Sequence, residues 1–281
     1  MPQVVVRDLV KTYRVAEREP GLLGAVRGML SRRHRMVSAL QGVSFSLQPG
    51  ELLGFIGPNG AGKSTTIKIL SGILRPSSGT VLVDGLSPFD DRQRHVANIG
   101  VVFGQRTQLW WDLPVIDGFD LLRDIYRVPA DRYRRSRDEL VDLLKLEPVL
   151  RQPVRQLSLG QRMRAEIAAA LLHEPSLLFL DEPTIGLDAP SKLAVREVVK
   201  RLNRERGVTV LLTTHDMHDI EALAERVIVV GNGRVLADSS FEDLRATVLQ
   251  HQATEGDEAD ESASIEAIVA RFYDLHGAAE A

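Results

Sequence analysis

The sequence predicts an α/β fold built on a largely parallel β-sheet. Apolar runs of strand length alternate along the chain with segments of helical periodicity. A glycine-rich turn joins a predicted strand, Leu52 to Ile56, to a helix from about Ser64 to Ile73. A mainly helical stretch interrupts the series of strands, which indicates an inserted helical subdomain over about 105–160.

The N-terminal part combines short strands with an insertion. Val4 to Val6 and Val43 to Leu47 are expected to be strands, because the first is a run of valines and the second alternates apolar and polar residues. Residues 17–37 form the insertion. Its apolar residues recur at helical spacing beside several arginines, which predicts a basic amphipathic helix within 22–35. Gly24 and Gly28 weaken this helix. The apolar residues are Leu22, Leu23, Val26, Met29 and Leu30, and the arginines are Arg27, Arg32, Arg33 and Arg35.

The later elements continue the alternation of strands and helices. Ile99 to Phe103 is a predicted strand, and helical patterns cover about Asp117 to Val149 and Gln161 to His173. Three further apolar runs are expected to be strands: Leu177 to Leu180, Val208 to Thr214 and Val227 to Val230.

The chain changes character near its C-terminal end. We expect one domain over residues 1–245, followed over 246–281 by an acidic linker and a short helix from Ser264 to Leu275. The helix would present Ile265, Ile268, Val269 and Phe272 on one face. The acidic residues of the linker are Glu255, Asp257, Glu258, Asp260 and Glu261.

Composition excludes several classes of protein. The formal net charge of −3 over 281 residues argues against a protein built mainly to bind nucleic acid. The sequence has no cysteine, which excludes disulfide frameworks, zinc-thiolate sites and thiol nucleophiles. No run reaches the roughly 20 apolar residues of a membrane span, and Met1 to Asp8 lacks a signal-peptide pattern. We therefore expect a chain that does not cross a bilayer by itself.

The strongest motif is a phosphate-binding P-loop between a predicted strand and a predicted helix. Its glycines let backbone N–H groups turn toward an anion, and the helix that follows directs its positive end at the phosphates. Lys63 is expected to reach the β- and γ-phosphates, and the Ser64 hydroxyl to ligate Mg²⁺. The expected nucleotide-binding residues of the loop are Gly57, Asn59, Gly60, Gly62, Lys63, Ser64 and Thr65.

A second motif consists of two carboxylates at the end of an apolar strand. In a metal-assisted phosphoryl-transfer site, Asp181 would hold the magnesium ion, and Glu182 would orient and deprotonate the attacking water. The P-loop earlier in the chain favours this interpretation over a solvated strand end.

Four more motifs make the resemblance specific. Leu157-Ser158-Leu159-Gly160-Gln161 resembles the signature motif of ATP-binding cassette (ABC) ATPases. Gly186-Leu187-Asp188 is similar to the D-loop of that family, Thr214-His215-Asp216 to its switch histidine, and Gln105 to its Q-loop glutamine. With the P-loop and the carboxylate pair, these motifs stand in family order over about residues 3–245. The resemblance implies a P-loop NTPase core with an ABC-type antiparallel β subdomain and an inserted helical subdomain.

The resemblance also implies how the site works. In the family, two ATPase domains pair head to tail, and each ATP lies between the P-loop of one and the signature of the other. Ser158, Gly160, Gln161 and Asp188 would then bind nucleotide across the interface. His215 would hold the γ-phosphate and the attacking water, and Gln105 would sense magnesium. The implied catalytic residues are Glu182, His215, Lys63 and Gln105, and the implied metal ligands are Ser64, Gln105 and Asp181.

Some positions depart from the family pattern or leave alternatives open. Leu159 stands where the commonest pattern has glycine, but Ser158 and Gly160 remain. Tyr13 lies where the family stacks an aromatic ring on adenine, and the insertion that follows it is able to shift it. Trp110 and Trp111 form either subdomain core or a docking surface for a membrane partner. The insertion is either surface decoration, a contact with a permease or anionic membrane, or a regulatory site.

The function implied by the resemblance is that of an ATP-hydrolysing subunit of a bacterial export-type ABC transporter. Its cofactors would be ATP and Mg²⁺. Its partners would be an integral-membrane permease encoded separately and a second ATPase subunit, with a homodimer preferred over a heterodimer, and no nucleic acid. We expect peripheral attachment to the cytoplasmic face of the inner membrane. An importer subunit and a non-transport ATPase of translation or DNA repair are the alternatives.

Overall fold

The computed structural model describes residues 1–16, 34–104, 106–255 and 265–275. Its strands are β1 (Val4–Ala16), β2 (His34–Leu47), β3 (Leu52–Ile56), β4 (Ser78–Val83), β5 (Ile99–Phe103), β6 (Leu177–Asp181), β7 (Thr209–Thr214), β8 (Arg226–Gly231) and β9 (Arg234–Ser240). Its helices are α1 (Lys63–Leu70), α2 (Arg92–Val96), α3 (Val115–Tyr126), α4 (Ala130–Leu143), α5 (Leu159–Leu171), α6 (Ala189–Arg206), α7 (Met217–Leu223), α8 (Phe241–Glu255) and α9 (Ile265–Leu275). In the described part of the chain, no helix has the length and apolar character needed to cross a membrane.

The strands form two sheets. The order β5-β6-β7-β3-β8-β9 gives a six-stranded sheet, in which the strands from β5 to β8 are parallel and β9 pairs antiparallel with β8. The order β2-β1-β4 gives a three-stranded antiparallel sheet. The expected combination of a parallel core, an antiparallel subdomain and an inserted helical part is confirmed.

The parallel strands of the larger sheet are buried on both faces, which explains why they are mainly apolar. Along β3, Leu53 and Phe55 pack against the antiparallel sheet and α1, whereas Leu52 and Ile56 pack with the helices on the opposite face. This alternation follows from the period of two in a strand. The Phe45 ring of the small sheet lies 5.5 Å from the Phe55 ring, measured between centroids.

The strand order places the site at one edge of the larger sheet. Strands β6, β7 and β3 are neighbours and run in the same direction. Their carboxyl ends therefore meet, and the segments that follow each strand come together at this edge. These segments are the P-loop, Asp181-Glu182 and His215.

The antiparallel sheet is larger than the sequence predicts. β1 and β2 extend well beyond Val4 to Val6 and Val43 to Leu47, and at their far ends Val15 pairs with Arg35 and Ala16 with His34. Residues 34–37 are therefore strand, so the prediction that the helix of the insertion extends to Arg35 was wrong. The rest of that helix, 22–33, lies outside the described residues. β4 and β9 were not predicted, since their pairing depends on partners distant in sequence.

The helical subdomain differs in detail from the single helical pattern expected over 117–149. It is divided into α3 and α4, because Arg127 adopts a left-handed backbone with φ 53° and Pro129 caps the start of α4. Tyr133 and Leu140 of α4 are buried, and so is Phe119 of α3.

The C-terminal region packs on the domain. α8 runs across the expected boundary at 245, so residues 246–255 are helical where a linker was expected. Leu244 and Val248 of α8 are one turn apart and share a core with Ile268, Val269 and Phe272 of α9. The apolar face predicted for the last helix is thus confirmed at those three positions. The acidic residues 257–261 lie outside the described residues.

A buried ion network braces the loops around the site. Asp219 of α7 is 0% exposed, and its carboxylate accepts hydrogen bonds from the Thr184 and Thr214 hydroxyls, the latter at 3.2 Å. Arg196 Nε of α6 lies 2.5 Å from the same carboxylate. Thr184 follows Glu182 by two residues, and Thr214 directly precedes His215. Asp219 therefore ties the loops that carry Glu182 and His215 to each other and to α6.

Replacing Asp219 with alanine is expected to lower the free energy of unfolding by about 3–5 kcal/mol, since the buried Arg196 guanidinium loses its nearer carboxylate, with Asp216 at 3.6 Å remaining, and the Thr184 and Thr214 hydroxyls lose their acceptor. Urea denaturation followed by circular dichroism measures the change. Asp124→Ala, which breaks an exposed pair with Arg123, is the control and should change stability by about 0.5 kcal/mol or less. Equal stability of the two variants would show that the network does not brace the loops.

Candidate nucleotide-binding and hydrolysis site

The P-loop connects β3 to α1, and its backbone conformation requires glycine. Gly60 has φ 81° and Gly62 has φ 106°, both in the left-handed region. A Cβ on Gly62 would lie 2.5 Å from Leu40 Cδ2, so a side chain has no room there. Gly57, Asn59 and both glycines lie in the loop, and Thr65 lies in the first turn of α1. That turn contains no acidic residue of its own.

Lys63 holds a buried cation at the end of this loop. Its side chain is 4% exposed, and Nζ donates hydrogen bonds to the carbonyl oxygens of Gly57 at 2.6 Å and Pro58 at 3.1 Å. Burial lowers the pKa of the Lys63 ammonium, and the carboxylates of Glu182 and Asp181 oppose that shift. A buried cation held mainly by neutral carbonyls is well suited to bind phosphate oxygens, which would compensate its charge.

Asp181 joins the P-loop helix to the sheet. Ser64 Oγ donates to Asp181 Oδ1 at 3.1 Å, and Thr213 Oγ1 of β7 donates to the same oxygen at 2.7 Å. The Ser64 hydroxyl and the Asp181 carboxylate thus lie side by side. Both are hard oxygen ligands of the kind that Mg²⁺ prefers, usually with water and phosphate oxygens completing the octahedron. The residues present therefore fit the expected magnesium ion.

Glu182 lies within reach of both Lys63 and His215. Its Oε1 is 4.0 Å from Lys63 Nζ and 3.4 Å from His215 Nδ1. The Glu182 side chain is 20% exposed and that of His215 is 55% exposed, so water can reach the space between them. A carboxylate beside an imidazole can hold a water molecule and accept its proton.

The backbone at Glu182 is strained and is held from two sides. Its φ is 53°, a conformation that costs a non-glycine residue about 1–3 kcal/mol. On one side the Glu182 N–H donates to the Thr213 carbonyl at 3.0 Å. On the other side lies Gly104, directly after β5. It approaches Glu182 so closely that a Cβ on Gly104 would lie 2.1 Å from the Glu182 carbonyl oxygen. Only glycine fits at position 104.

The signature segment forms a capped helix start. Ser158 caps α5 by a capping box with Gln161: Ser158 Oγ accepts from the Gln161 N–H at 3.2 Å, and the Ser158 N–H donates to Gln161 Oε1 at 2.9 Å. Since the hydroxyl oxygen accepts in this cap, its O–H is able to donate to an anion. The N-terminal end of α5 is thereby pre-organised for a phosphate.

The signature packs against the D-loop of the same chain. A Cβ on Gly160 would lie 2.3 Å from Ser191 Oγ, so glycine is required here for packing as well. Asp188 caps α6 by accepting from the Ser191 N–H at 3.3 Å. Leu159, the departure from the family pattern, lies against Gly186, with Cδ2 3.2 Å from where a Cβ of that glycine would be. The starts of α5 and α6 therefore form one surface.

The structure thus brings Lys63, Ser64, Asp181, Glu182 and His215 into direct contact. The predicted residues Ser158, Gly160, Gln161 and Asp188 lie instead at the starts of α5 and α6. Tyr13 is half-buried on β1, and Lys11 Nζ lies 5.3 Å from the centroid of its ring. Tyr13 pairs with Val37 on β2. Leu40, three residues further along β2, lies against Gly62 of the P-loop. Gln105 lies outside the described residues.

Sequence reasoning missed the residues that support the site. Thr213 supports both Asp181 and Glu182, Asp219 braces the loops, and Gly104 makes room for the strained turn. A signal for Thr213 was available, because Thr213-Thr214 places two hydroxyls at the end of an apolar strand. Asp219 gave no local signal, since its partners lie on other elements.

Comparison with known proteins agrees with this geometry. A family model described as ABC transporter matches residues 40–185, which is more than half of the chain. The daunorubicin resistance ATP-binding protein DrrA3 of Streptomyces coeruleorubidus is 37% identical over 76% of this chain and 67% of that protein. The linearmycin resistance ATP-binding protein LnrL of Bacillus subtilis (strain 168) is 35% identical over 73% of this chain and 65% of that protein. The match therefore spans only about two thirds of the length of these relatives.

A solved structure extends the comparison to the fold. It is a dimeric ATP-binding cassette in a post-hydrolysis state bound to ADP and Pi, with a TM-score of 0.70 and 28% identity, covering 84% of this chain and 98% of that chain. The resemblance drawn from the motifs is confirmed, and this chain belongs to the ABC transporter family.

Proposed function

We propose that this chain is the ATP-hydrolysing subunit of a membrane exporter and powers a separately encoded permease. The observation that carries the proposal is the single cluster of Lys63, Ser64, Asp181, Glu182 and His215 at the carboxyl edge of the sheet. The P-loop and the end of β6 are the two parts that P-loop NTPases use for phosphoryl transfer to water.

Each side chain of the cluster has a chemical role in this proposal. Lys63 binds the β- and γ-phosphates, and its buried charge is compensated when it does so. Ser64 and Asp181 hold Mg²⁺, which neutralises charge on the phosphate oxygens. Glu182 orients the attacking water and accepts its proton, while His215 holds that water and the γ-phosphate in line. Tyr13 stacks on adenine, and Gln105 senses the metal.

The nucleotide-binding site is completed by a second subunit. Ser158, Gly160 and Gln161 at the start of α5, with Asp188 at the start of α6, offer helix N-termini to the γ-phosphate of a partner's ATP. The related cassette bound to ADP and Pi is dimeric, which supports head-to-tail pairing here. Since this chain carries both halves of such a site, a homodimer with two sites is proposed.

An exposed aromatic pair supports docking to a permease. The residues Trp110 and Trp111 are 39% and 48% exposed, directly after the segment that contains Gln105. This exposure favours a docking surface over subdomain core. The two relatives are named for resistance to daunorubicin and linearmycin, which favours export. Peripheral attachment at the cytoplasmic face of the inner membrane follows from this partner, and the net charge of −3 disfavours nucleic acid.

Glu182→Gln is expected to trap an ATP-bound dimer. The amide cannot accept a proton from water, so hydrolysis slows by about 10²-fold or more, and the closed state is no longer released. Light scattering after gel filtration with ATP and Mg²⁺ should give the mass of two chains. Glu205→Gln, at an exposed position of α6, should remain as active as the unchanged chain. A monomer at saturating ATP would count against the mechanism.

Ser158→Arg is expected to abolish hydrolysis without abolishing binding. The arginine side chain blocks the surface that receives the partner's γ-phosphate, whereas the P-loop of the same chain is untouched. Steady-state ATPase assays and binding of a fluorescent ATP analogue separate the two effects. Full hydrolysis by this variant would show that the site does not need a second subunit.

The transport function is tested by capturing the membrane partner. Tagged Glu182→Gln protein should recover one or two multi-span proteins from detergent-solubilised membranes of its source cells in the presence of ATP and Mg²⁺, as identified by mass spectrometry. Untagged protein is the control. Recovery of ribosomal or DNA-repair proteins without a membrane protein would overturn the transport proposal.

A further inference from the structure

A buried carboxylate on α5 has no part in the proposed chemistry. Glu166 is 3% exposed and lies two turns beyond the signature on the same helix. Its carboxylate accepts hydrogen bonds from the Thr107 hydroxyl and from the Gln108 N–H, the latter at 3.1 Å. Gln108 Nε2 donates in turn to the Glu166 carbonyl oxygen at 3.0 Å. All these bonds connect α5 to the short segment that follows Gln105.

Burying this carboxylate has a free-energy cost. Burial raises the pKa of Glu166, and the hydrogen bonds from Thr107 and Gln108 and the charge of Arg162 oppose that shift. A leucine or methionine would fill the same space without removing a charge from water. What a carboxylate adds at this position is its ability to accept from two donors of one segment at once.

The segment continues directly to the exposed aromatic pair. Thr107 Oγ1 also accepts from the Leu109 N–H at 3.1 Å, and the Leu109 side chain is buried. Further along this segment, the Trp111 ring lies 5.7 Å from Cζ of the Arg162 guanidinium. Arg162 is on α5, one turn before Glu166. Residues 107–111 are thus attached to α5 near both ends, at Thr107 and Gln108 and again at Trp111, and we call this stretch the docking segment.

The other side of Gln105 is attached to the sheet. The Gly104 N–H donates to the Asp181 carbonyl oxygen at 2.8 Å, next to the catalytic Glu182. Between this anchor and the first bond to Glu166 lie only Gln105 and Arg106. The chain therefore passes within two residues from the edge of the sheet that carries Asp181 and Glu182 to the docking segment, which is bonded to α5.

We propose that Glu166 is a positioning residue that makes the docking segment and α5 one rigid unit, so that a permease bound at Trp110 and Trp111 moves the signature serine at the start of α5. This inference rests on the proposed function for its partner. Displacement of the docking segment reaches Ser158 through Glu166 and the part of α5 between them. Loss of the contact uncouples partner binding from the position of the signature.

Glu166→Gln tests this role, because the amide keeps the size of the side chain but has one acceptor oxygen. When the permease identified by the pull-down is reconstituted with chains that retain Glu182, stimulation of their ATPase by the permease should fall about fivefold or more in Glu166→Gln. The ATPase rate of the isolated chain should stay within about twofold. Glu174→Gln, which changes an exposed glutamate paired with Arg132, should alter neither rate. Equal stimulation in the two variants would overturn the proposal.

A double-mutant cycle identifies the contact itself. Thr107→Val removes the hydroxyl that donates to Glu166, so it should reduce stimulation like Glu166→Gln, and the two changes together should be less than additive. Fully additive losses would mean that Glu166 acts through other groups.

A measurement on the isolated chain tests, without any partner, whether Glu166 attaches the docking segment to α5. Hydrogen exchange of the amides in the docking segment should be at least about tenfold faster in Glu166→Gln than in Glu174→Gln. Unchanged exchange would overturn the proposal even if the permease is found. Faster exchange with no permease recovered would instead refute the transport function and leave the attachment of the docking segment to α5 standing.

Discussion

The carboxylate of Asp181 accepts hydrogen bonds from Ser64 of the P-loop helix and from Thr213 of the neighbouring strand. One oxygen atom thus connects α1, β6 and β7, and the strained peptide of Glu182 follows directly. Because β6, β7 and β3 end at the same edge, this contact is geometrically available only when the parallel sheet has formed in this order. The distances between Glu182, His215 and Lys63 depend on that arrangement.

Two parts of the site are held differently: the backbone around Glu182 and before His215 is fixed by hydrogen bonds and close packing, whereas Lys63 is held by bonds that a phosphate can replace. Thr213, Gly104 and the Asp219 network fix the backbone around Glu182 and before His215. The buried Lys63 ammonium, in contrast, is held mainly by carbonyl oxygens, which phosphate can replace. The signature surface is formed by the starts of α5 and α6. In the proposed function, ATP bound between two subunits would select a closed state that hydrolysis then releases, which is a two-state switch.

The sequence predicts the local parts of this account well. The P-loop, the carboxylates after β6 and the capped start of α5 are contiguous patterns whose conformation is dictated by glycine, helix capping and the alternation of strand and helix. β4 and β9, and the length of the β1–β2 pair, were missed because strand pairing depends on partners distant in sequence. Asp219 and Glu166 were missed for the same reason, since their hydrogen-bond partners lie on other elements. Gln105 and the centre of the insertion lie outside the described residues, so their roles stay predictions.

The central claim is that a functional hydrolysis site needs two copies of this chain. The most direct test is the ATPase rate per subunit of the purified chain, measured at saturating ATP and Mg²⁺ over a dilution series from micromolar to nanomolar protein, with the mass of the particles recorded at each step. The account predicts a rate per subunit that falls as dimers dissociate and returns when the protein is concentrated again. A constant rate per subunit in samples whose mass is that of a monomer would contradict it.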